Sequence, residues 1–213
     1  MHIKKIKNRI KKSWLLLISF LIILLGITLI ISTFSLPFIN QNKEKKALNE
    51  FYESKNKEEK RTAEENKTEI QDKYEYIAVL KIPKISLEKG VVSKDSKYNS
   101  IEYGLEILRE SDSPEVINGN VIIASHSGTS DISYFNELDK LEIGDISQII
   151  YSGYIYNYKV DNIYNVQKNG KIVIKRNKNN STLTLTTCNP KDNKKQLIII
   201  SSLIEKKKGQ EDK

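Results

Sequence analysis

Cysteine occurs once in the 213 residues, at position 188, which excludes an intramolecular disulfide framework and a multi-cysteine zinc site. Any cysteine chemistry falls to a lone thiol. Histidine occurs twice, and because His2 lies in the extreme N-terminal segment, His126 is the sole imidazole of the remaining chain. Arginine is confined to positions 9, 61, 109 and 176. A nucleic-acid face would interleave arginine with aromatic residues, so no nucleic-acid partner is expected. Nine glycines and four prolines rule out a collagen-like chain, and 38% hydrophobic residues rule out disorder throughout. The length bounds the chain at one catalytic-sized domain.

The formal charge of +8 is unevenly placed. Lys4, Lys5, Lys7, Arg9, Lys11 and Lys12 account for most of it, with no acid among residues 1–12, and the rest is nearly balanced. From Ser13 to Asn42 there is no charged residue, and Trp14 to Ile31 is almost wholly Leu, Ile and Phe. The uncharged stretch from Ser13 to Asn42 exceeds the ~20 residues a helix needs to cross hydrocarbon. It also exceeds the ~7 to 15 apolar residues of a cleaved signal peptide, and no Ala-x-Ala site follows. An uncleaved anchor is expected over residues 13–36, behind a basic cytoplasmic tail at residues 1–12. The basic tail stays inside, so the remainder is expected outside a bacterial cell membrane.

Residues 37–73 read as a charged linker or stalk. Between Lys43 and Glu69 eight Lys or Arg oppose eight Glu, with no Gly or Pro and few apolar residues. Such a segment cannot bury a core of its own, and a charged helix and a solvated chain are both open.

From residue 74 to 204 the pattern turns to period two. Tyr154, Tyr156, Tyr158 and Val160 alternate with Asn157, Lys159 and Asp161, as in a half-buried strand. In Thr182–Thr187, Leu183, Leu185 and Thr187 share one face and the threonines 182, 184 and 186 the other. Leu197–Leu203 is apolar on both faces, as a central strand would be. Further strands are expected at Tyr76–Ile82, ended by Pro83, and at Ser86–Val92, Val121–Ala124 and Ile146–Tyr151. One short helix is expected where Phe135, Leu138 and Leu141 recur, stopped by Gly144. At least seven strands and little helix predict a small closed or sandwiched β domain, followed by a charged tail at residues 205–213.

Cys188 ends the strand Thr182–Thr187, and His126 follows the apolar strand Val121–Ala124, so both stand where strands enter loops. Taken singly, a cysteine is usually a small buried hydrophobe and a histidine structural. Together, a thiol with an imidazole in reach is the minimum for a covalent nucleophile, because an imidazolium stabilises the thiolate.

These residues carry a resemblance. Thr184-Leu185-Thr186-Thr187-Cys188 resembles the TLxTC signature of the sortases, and Ala124-Ser125-His126-Ser127-Gly128 their histidine segment. Tyr134-Phe135-Asn136-Glu137-Leu138, Leu141 and Gly144-Asp145 are similar to the stretch that follows it, and Leu80 to Ile85 to the opening strand. The likeness runs in order from about residue 76 to 203. It implies an all-β fold, a closed eight-stranded barrel with one or two short helices behind an N-terminal transmembrane helix. It also implies a cysteine transpeptidase that cuts LPxTG-type sorting signals between Thr and Gly through a thioacyl intermediate. The implied partners are surface proteins bearing a C-terminal sorting signal and a cell-wall precursor amine, with the membrane held through the anchor. Cys188 would be the nucleophile and His126 the general acid/base. No cofactor is implied, and a calcium requirement stays open.

The family's third residue is an arginine at the start of the final strand, and here Gln196 stands in its place. A Gln amide donates hydrogen bonds to an oxyanion without the charge that strengthens them. Lys195 should face away by strand alternation. Arg176 is the other candidate, expected near Ser181 if residues 171–187 form a hairpin. Two rival readings stand beside the transpeptidase. In an L,D-transpeptidase the cysteine follows a Ser-His-Gly segment within a few residues, unlike the spacing from His126 to Cys188. A weak or inactive sortase-like domain would serve as a surface binding module. Asp112-Ser113-Pro114 is not the Asp-Pro-aromatic lid of pilin-assembling members, and the C-terminal tail is charged rather than a second membrane segment. Surface-protein anchoring is therefore expected.

Overall fold

The computed structural model describes residues 18–28, 41–54 and 75–209. The chain divides into two compact units, residues 1–45 and 46–213. In the first, residues 18–28 are helical with exposed side chains. Among the described residues no helix is long and apolar enough to cross a membrane. The remainder of the expected span 13–36, and the tail 1–12, lie outside the described residues.

The second unit contains one eight-stranded sheet: β1 (Tyr76–Ile82), β2 (Leu87–Val92), β3 (Glu106–Ile107), β4 (Asn120–Ala124), β5 (Ile146–Tyr151), β6 (Tyr154–Gln167), β7 (Thr182–Asn189) and β8 (Asp192–Lys208). The order across the sheet is β2-β1-β5-β6-β8-β7-β4-β3, and the edge strands β2 and β3 touch, so the sheet curls into a nearly closed barrel. Every neighbouring pair is antiparallel except β4 and β7. That parallel pair positions the site described below.

Alternation decides what fills the barrel. Leu80, Ile82, Ile123, Ile149, Tyr156, Tyr158, Leu183, Leu185 and Ile199 form one buried cluster with Phe135 and Leu138. The expected faces of β7 are observed, but both are buried, because Thr182, Thr184 and Thr186 are as enclosed as the leucines. Buried hydroxyls need partners. Thr182 and Thr184 each donate through Oγ1 to Asn120 Oδ1 at 2.9 Å, which ties β7 to the start of β4.

Turn chemistry follows the sequence. Pro83 ends β1 in a single 3-10 turn, Pro83–Ile85, closed by Ser86 in the left-handed region with φ of 52°. Ser152 and Gly153, with φ of 47° and 77°, form the two-residue hairpin between β5 and β6, where positive φ at both positions matches strand twist.

Three expectations change. The helix expected around Phe135–Leu141 is only a 3-10 turn, Leu138–Lys140. A spacing of three is the period of a 3-10 helix, and Leu138 N–H and Leu141 N–H donate to Phe135 O and Leu138 O respectively. Residues 171–177 form no strand, so the hairpin expected over 171–187 is absent. The tail expected at 205–213 is shorter, because β8 runs on to Lys208, which pairs with Tyr154 while Lys206 Nζ stands 4.3 Å from the Tyr154 ring centroid.

Within the expected linker, residues 41–54 are helical and residues 55–74 lie outside the described residues. Ala47 is buried, and Tyr52 OH donates to Glu88 Oε1 at 2.6 Å on β2, whose Oε2 meets Lys81 Nζ at 3.2 Å. Burial alone would raise the Glu88 pKa, but the bonds from Tyr52 and Lys81 outweigh it and hold the carboxyl below its usual range.

Candidate active site

Parallel pairing of β4 with β7 sets Ala124 beside Thr186. The pairing continues past the strand end through individual bonds. Ser125 N–H donates to Thr186 O at 3.3 Å, Thr187 Oγ1 donates to Ser125 O at 2.7 Å, and Ser127 Oγ donates to Cys188 O at 2.7 Å. His126 lies between the two clamped serines, and its carbonyl accepts Phe135 N–H at 3.0 Å. Continuing the register by two residues sets His126 level with Cys188. Both are half-buried.

On the other side of β7, Cys188 and Gln196 are direct partners across the antiparallel pair with β8, and Gln196 pairs in turn with Val166 of β6. Directly opposed residues project from the same face with Cβ atoms ~4.5 to 5.5 Å apart. Val166, Gln196 and Cys188 thus stand in one rank across β6, β8 and β7. The register shift in the β7–β8 pair falls between Cys188 and Asn189, beyond this rank, and leaves Gln196 opposite the thiol.

The turn beyond is held by its own polar contacts. Asn189 Oδ1 accepts Lys191 N–H at 2.7 Å, and Asn189 Nδ2 donates to Asn165 Oδ1 at 2.6 Å. Lys195 Nζ meets Asp192 Oδ2 at 3.1 Å, and this bond lowers the Asp192 pKa. Lys195 pairs with Gln167 and spends its charge on Asp192, as alternation predicts for a neighbour of Gln196.

Arg176 stands elsewhere. Its Nη1 donates to Asn177 O at 3.4 Å and Asn180 O at 3.1 Å, bracing the connection that leads into the start of β7, whereas Cys188 lies near the end of that strand. Gln196 pairs directly with Cys188, the His126 segment is tied to Cys188 through Ser127 Oγ, and Arg176 makes its bonds elsewhere. Asp112 Oδ2 accepts Asn120 N–H at 2.8 Å, so the Asp112-Ser113-Pro114 segment braces the first residue of β4, away from the Cys188 end.

Sequence reasoning missed two kinds of residue. Ser127 and Thr187 act as clamps, signalled only by hydroxyls flanking the candidate pair. Lys168 was invisible: it follows β6 and its Nζ donates to Cys188 Sγ at 3.3 Å. Among the described residues, no group of three or more His, Cys, Asp or Glu side chains is placed to hold a metal ion. A surface cleft of about 480 Å³ between Ile85–Lys89 and Thr129–Asn136 includes neither Cys188 nor Gln196.

The family model of the sortase domain matches residues 80–204, from β1 into β8. The chain belongs to the sortase family. Solved sortases share its fold. Sortase A from Corynebacterium diphtheriae, in a lid-mutant form, is 26% identical over 61% of this chain and 70% of its own, with a TM-score of 0.53. Sortase A from Listeria monocytogenes is 18% identical over 64% of this chain and 92% of its own, with a TM-score of 0.54. The sortase C of Streptococcus pneumoniae, whose structure bears on pilin substrate specificity, is 24% identical over 68% of this chain and 80% of its own, with a TM-score of 0.51. No curated protein matches the sequence. A sortase-type function follows from family membership, and the nearly closed eight-stranded barrel is the sortase fold.

Proposed function

We propose that this sortase is a membrane-anchored, outward-facing cysteine transpeptidase that cleaves an LPxTG-type sorting signal and transfers the protein to a cell-wall amine. One observation carries the reading: the chain's only cysteine stands directly opposite a side-chain amide donor, and Ser127, next to the only histidine beyond position 2, bonds the carbonyl of that cysteine.

In the proposed reaction, Cys188 thiolate attacks the carbonyl carbon of the Thr-Gly bond. The Sγ–C bond forms as the carbonyl π pair moves onto oxygen. Gln196 donates to that oxyanion, and collapse returns the pair and breaks the C–N bond. His126 gives its proton to the leaving amine. The thioacyl enzyme remains, and the incoming amine attacks it, giving its proton to His126 as the C–S bond breaks and the Cys188 thiolate is released. The clamps from Ser127 and Thr187 hold the two segments in register, which matters because misplacement of a proton donor by ~1 Å can cost ~10²-fold.

The test incubates the full-length protein with an LPxTG-containing peptide and a short peptide bearing a free amine of the cell-wall cross-bridge type. The reading predicts a ligated product joined at Thr, increasing with amine concentration. Absence of both ligation and Thr-Gly hydrolysis across a panel of sorting-signal pentapeptides would overturn it.

A further inference from the structure

We propose that Lys168 is a catalytic cation of the Cys188 centre, supplying beside the sulfur the positive charge that Gln196 does not carry. For its part in the reaction this rests on the transpeptidase reading. Its charge at the thiol is measurable without any substrate.

The geometry begins with β6. Val166 pairs with Gln196, which pairs with Cys188, and side chains two residues apart on a strand share a face. Lys168, two residues beyond Val166, therefore leaves β6 on the face of the thiol. Its backbone N–H donates to Lys194 O at 2.8 Å, which extends the pairing of β6 with β8 and fixes where its side chain starts. The side chain reaches β7, where Nζ donates to Cys188 Sγ at 3.3 Å.

Two other lysines at this end are engaged with acids, Lys195 with Asp192 at 3.1 Å and Lys191 with Asp139 at 3.2 Å. Among the described residues no carboxylate forms an ion pair with Lys168, so its charge faces the sulfur without a competing anion. A cation beside a cysteine stabilises the thiolate, the attacking species. Once sulfur has bonded to the carbonyl carbon, negative charge sits on the oxygen of that same carbon, where a nearby ammonium again acts favourably. Lys168 and Gln196 would then divide between them the charge and the directed hydrogen bond that a single arginine combines.

Charge at the thiol is read by alkylating the full-length protein with iodoacetate, an anion, and iodoacetamide, its neutral analogue. Both react with the thiolate, so the ratio of their rates cancels thiolate population and reports local potential. Lys168→Met should lower the iodoacetate-to-iodoacetamide ratio by about threefold, the effect of removing one charge ~6 Å away in water-like dielectric. Lys168→Arg should keep the ratio, and ~1 M NaCl should shrink the difference. In peptide cleavage, Lys168→Met should lower kcat by roughly tenfold or more with KM little changed, and Lys168→Arg should restore most of it. An unchanged ratio in a folded Lys168→Met protein, or an arginine variant no better than methionine, would show a surface lysine merely resting on the thiol. If the wild-type protein cleaves no peptide, the transpeptidase reading fails, while the alkylation ratio still decides the charge of Lys168 at Cys188.

Discussion

Gln196 and Cys188 face each other as direct cross-strand partners on β8 and β7, which sets a side-chain amide opposite the thiol, where the proposed mechanism needs an oxyanion donor. Loss of one oxyanion donor typically costs ~10² to 10³ in rate. Gln196→Ala should therefore lower kcat on a sorting-signal peptide by about that factor, with KM changing less, and Gln196→Arg should preserve or raise turnover. Arg176→Ala should leave kcat nearly unaltered, because its guanidinium holds the Asn177 and Asn180 carbonyls rather than the site. Steady-state kinetics of the three variants decide the matter, and an inactive but folded Arg176→Ala would reassign the role.

His126 and Cys188 each follow the last pair of the parallel register, Ala124 and Thr186, by two residues, and proton transfer by a positioned side chain typically contributes ~10² to 10⁴. His126→Ala should cost at least ~10² in kcat while circular dichroism stays that of a β-barrel. An effect below about tenfold would make the imidazole structural rather than catalytic.

The clamps can be separated from the chemistry. Thr187→Val removes the hydroxyl that satisfies Ser125 O and leaves a buried carbonyl unpaired, a change that typically costs ~1 to 3 kcal/mol. Thermal unfolding should show a lowered Tm. Ser127→Ala, at the half-buried end of the clamp, should cost less stability and lower kcat more than Tm suggests, since Ser127 Oγ binds the carbonyl of Cys188 itself.

Tyr52 and Glu88 supply a pH-dependent test. Glu88 titrates below its usual range when folded, because Tyr52 and Lys81 stabilise its charged form. A lowered carboxyl pKa contributes stability above the unfolded value of ~4.3 and loses it as pH falls through the folded value. Tyr52→Phe should therefore lower Tm at pH 7, with the gap from wild type narrowing once pH drops below ~4. Thermal melts of both proteins across pH 3 to pH 7 check this. A gap that stays constant would place the Tyr52 effect in packing alone.

The limits of the sequence reading have physical causes. In β6 the period-two pattern that marks Tyr154–Val160 stops being legible at Asp161, yet the strand continues to Gln167. The register shift between Val160 and Asn162 is the reason: one extra residue moves the inward positions from Tyr156, Tyr158 and Val160 to Ile163. β3 has only Glu106 and Ile107, too short to show any period. Scarcity is what singles out Cys188 and His126 as candidates, and their placing at strand ends was legible from the strand patterns that precede them. Lys168 was not, because 20 residues and an irregular connection separate it from the thiol in sequence and nothing but the fold joins them.

The proposed anchor makes a prediction about cells. If the basic tail holds the N-terminus in the cytoplasm, protease added to intact protoplasts should remove residues beyond about position 43 and spare the apolar segment. Immunoblots with a tag at each end would show it. A signal-cleaved domain free in the medium would contradict the anchored arrangement.

The central claim is that Cys188 carries the peptide covalently. Its most direct test is the intact mass of the protein quenched in acid during reaction with a sorting-signal peptide. The account predicts an adduct equal to the acyl fragment ending in Thr, located by digestion to Cys188, released by hydroxylamine, and absent from a folded Cys188→Ala variant. Peptide turnover by Cys188→Ala, or turnover by the wild type with no such adduct, would contradict it.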